Sequence, residues 1–182
     1  MTGANEGLGF ALCEELASPD YNYRIIITAI KEDSAKETAC RIKEKYPEAE
    51  IFSLELNLKY DADHDRVFEA VKSFFVKDGK IGAIDCLVNN AAIGPSVDLF
   101  CEHTGAIPND LIIENFEVNY RKQLTFTARM IPLLTEDAKI VNIGSQFGKV
   151  EHQSKEIQEK IRKAGESGVD AFEKYEEILR EF

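Results

Sequence analysis

Apolar positions along the chain alternate between two rhythms, a helical spacing of three to four residues and compact β-branched runs. Phe10-Ala-Leu-Cys-Glu-Glu-Leu-Ala17 has the first rhythm, and Ser18-Pro19-Asp20 interrupts it. Tyr23-Arg-Ile-Ile-Ile-Thr-Ala29 is nearly all apolar, as a strand buried on both faces should be. Ser34-x-x-Glu37 reads as a capping box opening a helix with Ala35, Ala39, Ile42 and Tyr46 on one face, ended by Pro47. Ile51-Phe-Ser-Leu-Glu-Leu56 alternates like a strand nearer a sheet edge, and Val67, Ala70, Val71, Phe74 and Phe75 mark a third amphipathic helix. Ala83–Val88 is the next strand. Residues 93–108, with Gly94, Pro95, Gly105 and Pro108, read as a loop. A long helix then runs from Pro108-Asn109-Asp110 to about Leu134, with Ile112, Phe116, Gln123 and Met130 near one face, and Lys139–Ile143 is a last strand. Strands and helices alternating at this length predict an α/β fold: a doubly wound parallel sheet with helices on both faces.

From Lys149 onward the pattern changes. Charged residues make up 16 of the final 34, with Ile157, Ile161 and then Val169, Phe172 and Ile178 spaced for two short helices around Gly165-Glu-Ser-Gly168. The organisation expected is a partial dinucleotide-binding domain over 1–148 and a helical appendage of that domain over 149–182.

Charge and cysteine usage narrow the partners. A net charge of −11 argues against nucleic acid, whose phosphates want a basic surface. No apolar run approaches the roughly 20 residues of a membrane span. Cys13, Cys40, Cys86 and Cys101 form no C-x-x-C pair; three lie in expected helices or strands, where cysteine usually serves as a small buried residue, and a reducing cytoplasm is the expected location. The histidines at 64, 103 and 152 do not cluster with other ligands, so no metal is expected.

The first nine residues carry the chemistry. Glycines at 3, 7 and 9 ahead of a helix describe a tight turn whose free N–H groups and helix dipole favour an anion such as a dinucleotide pyrophosphate. Three further motifs follow in order: Asn89-Asn90-Ala91-Ala92, Asn119 within the long helix, and Val141-Asn142-Ile143-Gly144-Ser145. Together with Thr2-Gly3-x-x-x-Gly7-x-Gly9 this series resembles the short-chain dehydrogenase/reductases, in particular their carbonyl reductase branch, from residue 1 to about 150 and more loosely to 182.

The resemblance implies NAD(P)H-dependent reduction of a ketone, aldehyde or quinone carbonyl. Gly3, Asn5, Gly7, Leu8 and Gly9 would hold the pyrophosphate, Glu6 stands where NADP-using members commonly carry a basic residue, and Ile30 and Lys31 would lie at the adenosine ribose. Asn57, where the family usually has Asp, and Leu58 would meet adenine; Asn90, Ala91, Ala92, Val118 and Ile143 would line the ribose and nicotinamide side. Ala92 replaces the usual Gly. Ser145 matches the catalytic serine that hydrogen-bonds the substrate carbonyl, and Asn119 the asparagine that stabilises a kinked helix and positions a water in the proton relay. Read alone, Ser145 is the start of a turn and Asn119 an exposed helix residue. The branch favours NADP(H) over NAD(H), and no acidic residue follows the second strand to hold a free 2′-hydroxyl. Lys31 suits a 2′-phosphate, whereas Glu6 opposes one; a like charge about 4 Å away is worth ~4 kcal/mol at an effective dielectric of about 20. In this branch a helical insertion covers the dimerisation face, so the appendage favours a monomer.

Two family features are missing from the chain. No tyrosine is followed four residues later by lysine, the pair that supplies the family's proton: Tyr46, Tyr60, Tyr120 and Tyr175 are followed by Glu50, His64, Leu124 and Leu179. Only Met1 and Thr2 precede Gly3, where the family has a whole central strand. Removing that strand would leave its neighbours about 9.6 Å apart, twice the normal spacing. The expectation is a truncated family member, with little or no turnover of its own and an oligomer if the first strand is supplied in trans. Its rivals are a non-catalytic dinucleotide-binding or partner-binding protein, and a fragment that binds no nucleotide.

Overall fold

Ile25, Ile26 and Ile27 show why the first strand needs no polar face. In the computed structural model, which describes residues 1–75, 84–94, 108–167, 173–174 and 177–178, β1 (Ile25–Ala29) sends Ile25 and Ile27 into one core and Ile26 toward another. The first core joins Cys13 of α1 (Gly7–Leu16) to Ala39 and Ile42 of α2 (Glu32–Lys45). The second collects Val67 and Val71 of α3 (Asp61–Phe75), Leu87 of β3 (Ile84–Asn89), and Phe126 and Met130 of α5 (Gln123–Met130). β2 (Ile51–Glu55) runs parallel to β1 in the register Ile25↔Ile51, and β3 runs parallel to β4 (Leu134–Asn142). The fold is therefore α/β, with parallel strands between helical layers, and the sheet is incomplete: it consists of two two-stranded pairs.

Between the two pairs run Met1–Ala4, bonded to both. Thr28 N–H donates to the Met1 carbonyl (3.1 Å) and Ala4 N–H to the Thr28 carbonyl (2.9 Å), while on the other side Thr2 N–H donates to the Val88 carbonyl (3.0 Å). This short segment satisfies inward-facing backbone groups of β1 and β3.

Several elements depart from the sequence pattern. α2 begins at Glu32 with Lys31 at its N-cap and no side-chain cap, so Ser34 sits inside the first turn and the expected capping box does not form. Glu32 and Asp33 there favour the helix dipole instead. The long helix is broken into α4 (Asn109–Phe116), a π-helical turn (Glu117–Lys122), α5 and a 3-10 turn (Ile131–Leu133). Ile112 is exposed rather than on the buried face. β4 starts at Leu134, five residues before the expected Lys139, across an irregularity opposite Ile84 and Cys86. Cys13 is buried, but Cys40 and Cys86 are exposed, because Cys86 faces the gap in the sheet. Cys101 and His103 lie outside the described residues, as does all of the expected loop except Ile93, Gly94 and Pro108.

Cα packing divides the chain into two units, Met1–Ile143 and Gly144–Phe182. In the second, α6 (Lys155–Gly165) is capped by Ser154, whose Oγ accepts from Ile157 N–H at 3.3 Å. Arg162 bridges Glu159 and Glu166 along its wet face, at 2.6 and 2.5 Å. The second expected helix falls mostly outside the described residues, including Gly168, Val169 and Phe172; Ile178 is helical and buried.

His64, on α3, gives the first unit a pH dependence. The ring is buried, its Nε2 lies 2.9 Å from the Leu58 carbonyl, and its edge meets Phe126 with centroids 5.3 Å apart. Burial pulls its pKa down, against the upward pull of the Leu58 carbonyl and Asp61. Below a pH of about 6.5 the unfolded chain takes up a proton that the folded chain resists. Stability from the neutral ring is thus intact above that pH and lost as pH falls through and below it. Urea midpoints at pH 8, 6 and 5 should fall in that order, and His64→Gln should flatten the acid limb.

Candidate dinucleotide site

The glycine turn is shaped by close approach on one side and open space on the other. Gly3 has φ +60°, and a Cβ there would lie 2.7 Å from Ala91 Cα. A Cβ on Gly9 would lie 2.5 Å from Asn90 Nδ2 and 2.6 Å from the Gly3 carbonyl oxygen. Gly7 has φ +57° with nothing within 4 Å of a would-be Cβ. Gly3 and Gly9 are therefore fixed by packing, while Gly7 keeps a bare backbone toward open space. Glu6 caps α1 without a side-chain hydrogen bond, which leaves the first N–H groups of the helix directed outward.

The turn is tied to the exit of β3. Thr2 Oγ1 accepts from the N–H groups of Asn90 and Ala91, both at 3.0 Å, and Asn90 Nδ2 donates to the carbonyls of Thr2 (3.1 Å) and Gly3 (2.8 Å). Asn89 Nδ2 donates to Thr127 Oγ1 and Asn142 Oδ1, each at 2.8 Å, so β3, α5 and β4 are locked together one residue earlier.

These ends surround a cleft of about 710 Å³ in the first unit. On its glycine side stand Gly3, Asn5 and Glu6; beyond β1 are Ile30 and Lys31, with Asn57 and Leu58 after β2. Asn90, Ala91, Ala92 and Val118 close the opposite wall. Gly7, Leu8 and Gly9 continue the turn into α1, and Ile143 continues β4 by donating its N–H to the Asn89 carbonyl at 2.9 Å. Ile30 on the cleft wall and Leu8 on α1 are 60% and 75% exposed. Asn57 Oδ1 accepts from Lys59 N–H (3.1 Å), folding its amide into a local turn. Ser34, whose local pattern reads as a cap, and Ile93 also line the cleft.

Asn119 lies in the π-helical turn and clamps one residue. Its Oδ1 accepts from Ile93 N–H at 2.8 Å, and its Nδ2 donates to the Ile93 carbonyl at 2.7 Å. Gln123, one turn on, donates to the Ala91 carbonyl. The spacing of Gln123 from Asn119 was the available sequence signal for this second clamp. The broken helix thus presents two amides to the backbone after β3, a common use of a π-bulge. Ser145 belongs to the second unit, where its carbonyl accepts from Gly148 N–H at 3.1 Å and starts the turn Gln146–Gly148.

A parallel sheet with a glycine turn entering a helix at the strand ends, and an asparagine pair tying that turn to β3, is matched by one family profile. Residues 1–156 match the short chain dehydrogenase family. This chain belongs to that family. As a short chain dehydrogenase it is 31% identical to "Short-chain dehydrogenase anuI" of Penicillium roqueforti (strain FM164), covering 82% of this chain and 56% of that protein. It is 27% identical to "Carbonyl reductase [NADPH] 3" of Rattus norvegicus, covering 89% and 54%. The chain spans about half the length of these relatives. In structure it resembles "Menthone neomenthol reductase from Mentha piperita" with a TM-score of 0.80 and 23% identity, over 100% of this chain and 70% of the other. A short-chain dehydrogenase from Sphingobium yanoikuyae in complex with NADPH aligns at a TM-score of 0.60 and 23% identity, over 81% and 53%.

Proposed function

We propose that this short chain dehydrogenase binds NADP(H) in the cleft at the strand ends and is the nucleotide-binding part of a reductase acting on a ketone, aldehyde or quinone carbonyl. The observation that carries the reading is the start of α1: an uncapped helix N-terminus beside Gly7, with open space where a side chain would stand. Such a terminus suits a pyrophosphate, through its N–H groups and its dipole together. Lys31 and Ser34, on the same cleft, are the residues that would hold a 2′-phosphate, and Glu6 sits on the opposing side of the charge balance. Relatives named as carbonyl reductase and neomenthol dehydrogenase support carbonyl reduction.

A dihydronicotinamide held by the residues of this cleft would supply the hydride. Asn119 is a positioning residue, because both ends of its amide are committed to Ile93 and so fix the backbone beyond Ala92. Ser145, in the second unit, matches the serine that hydrogen-bonds the substrate carbonyl in this family. The sequence has no Tyr-x-x-x-Lys pair to deliver the proton, and general acid catalysis is typically worth about 10²–10⁴-fold. A second reading, a nucleotide-binding protein that does not turn over, uses the same cleft.

Fluorescence titration separates the possibilities. NADPH should bind more tightly than NADH. Lys31→Ala should weaken NADPH on the order of 10-fold, about 1.4 kcal/mol, and leave NADH nearly unchanged, while Glu6→Gln should tighten NADPH. Failure of both nucleotides to bind removes the proposal. Tight binding without turnover of a quinone or simple aldehyde selects the second reading.

A further inference from the structure

The turn after β2 offers the cleft hydrogen-bond donors and keeps its acceptors for itself. Asn57 N–H donates to Asp63 Oδ2 at 2.8 Å, and Tyr60 N–H donates to the Asn57 carbonyl at 3.1 Å. Asp63 is buried and pairs through its other oxygen with Arg66 at 2.8 Å, so the anchor of the turn is itself held. Lys59 N–H donates to Asn57 Oδ1 at 3.1 Å. Only an oxygen can accept that bond, which fixes the amide with its NH2 group turned away from Lys59 N–H. The Leu58 carbonyl accepts from His64 Nε2 at 2.9 Å.

Every oxygen of Asn57 and Leu58 therefore accepts a bond from within the chain. Two donors are left over, the Asn57 side-chain NH2 and the Leu58 backbone N–H, and neither meets an acceptor among the described residues. Leu58 is 4% exposed, and a buried N–H without a partner is a costly group that an acceptor on a ligand would satisfy. Both residues line the cleft.

Purines differ in what they show to such a pair. Adenine places its 6-amino donor beside the acceptor N7, so two neighbouring donors find one match and one opposition. A 6-oxopurine places O6 beside N7, two acceptors in a row.

We propose that the Asn57–Leu58 turn reads the base of the bound nucleotide and favours a 6-oxopurine over adenine, with Asn57 Nδ2 and Leu58 N–H donating to O6 and N7. The inference rests on the reading of the cleft as a nicotinamide dinucleotide site and adds what its base end selects. Asn57 is the specificity-determining residue, and Asp63 and His64 hold the turn that presents it. Asn57→Asp keeps an oxygen for Lys59 N–H and replaces the outward donor by an acceptor, which suits the 6-amino group of adenine.

The test is a fluorescence titration of the full 182-residue chain with NADPH and with reduced nicotinamide hypoxanthine dinucleotide phosphate, its 6-oxo counterpart. The hypoxanthine form should bind roughly 10-fold more tightly, a usual discrimination between a matched and an opposed base contact. Asn57→Asp should reverse the order while keeping the Tm of the wild type. The wild-type comparison needs no substitution and stands by itself. Tighter binding of NADPH by the wild type, or an order that Asn57→Asp leaves unchanged, would overturn this inference and leave the dinucleotide site standing. Binding of neither dinucleotide would overturn both.

Discussion

Replacing Gly3 by alanine is expected to destabilise the first unit by about 3 kcal/mol and to remove nucleotide binding. At φ +60° an L-residue bears a strain of roughly 1–2 kcal/mol. Its Cβ would also stand 2.7 Å from Ala91 Cα and 2.9 Å from Ala91 Cβ, and forced overpacking adds about 1–3 kcal/mol. Neither partner can swing away, because Ala91 N–H is held by Thr2 Oγ1 and the neighbouring Asn90 amide by Gly3 itself. Relief must come from moving the turn off the end of β3, which spoils the cleft. Urea denaturation should show a lower midpoint with an unchanged m-value. Gly7→Ala is the contrasting case: the same backbone strain, no clash, and a methyl group projecting into open space. It should lose nucleotide affinity with the smaller stability cost, so the two variants separate folding from binding.

The second large effect belongs to Phe126. It is 2% exposed, meets His64 edge-on, and belongs to the core formed by α3, β3 and α5. Phe126→Ala should cost about 3–5 kcal/mol, a large share of the ~5–15 kcal/mol typical of a whole domain. Phe126 also lines the cavity between β1 and β3, so its loss enlarges a gap that already exists and leaves little neighbouring mass to collapse into it. Phe126→Leu should recover more than half of the loss. Thermal unfolding followed by circular dichroism would give both values, and wild-type stability in Phe126→Ala would contradict this view of the core.

The helix break at Glu117–Lys122 shows where local reading stops. Ile112, Phe116, Gln123 and Met130 fit one continuous helical face well enough that nothing in their spacing announces a π-helical turn. The turn is set by long-range bonds, Asn119 to Ile93 and Gln123 to Ala91, between residues 26 and 32 positions apart. Ser34 misleads for the opposite reason: its local pattern fits a cap, but α2 starts two residues earlier and carries it into the first turn, facing the cleft. Cys86 sits in a strand of mostly apolar residues, and its exposure follows from the cavity it lines, which no local pattern encodes.

By itself the sequence determined the order and kind of the elements, the parallel α/β class and the family, because apolar periodicity and glycine placement act within a few residues of the chain. The three isoleucines of β1 already required two covered faces. Only the tertiary structure decided that Met1–Ala4 bridge two strand pairs, that Asn119 and Gln123 hold the backbone after β3, and which glycines face packing and which face space. Those outcomes depend on groups far apart in sequence meeting at hydrogen-bond distance, and such meetings are fixed only when the sheet and its helices have closed around them.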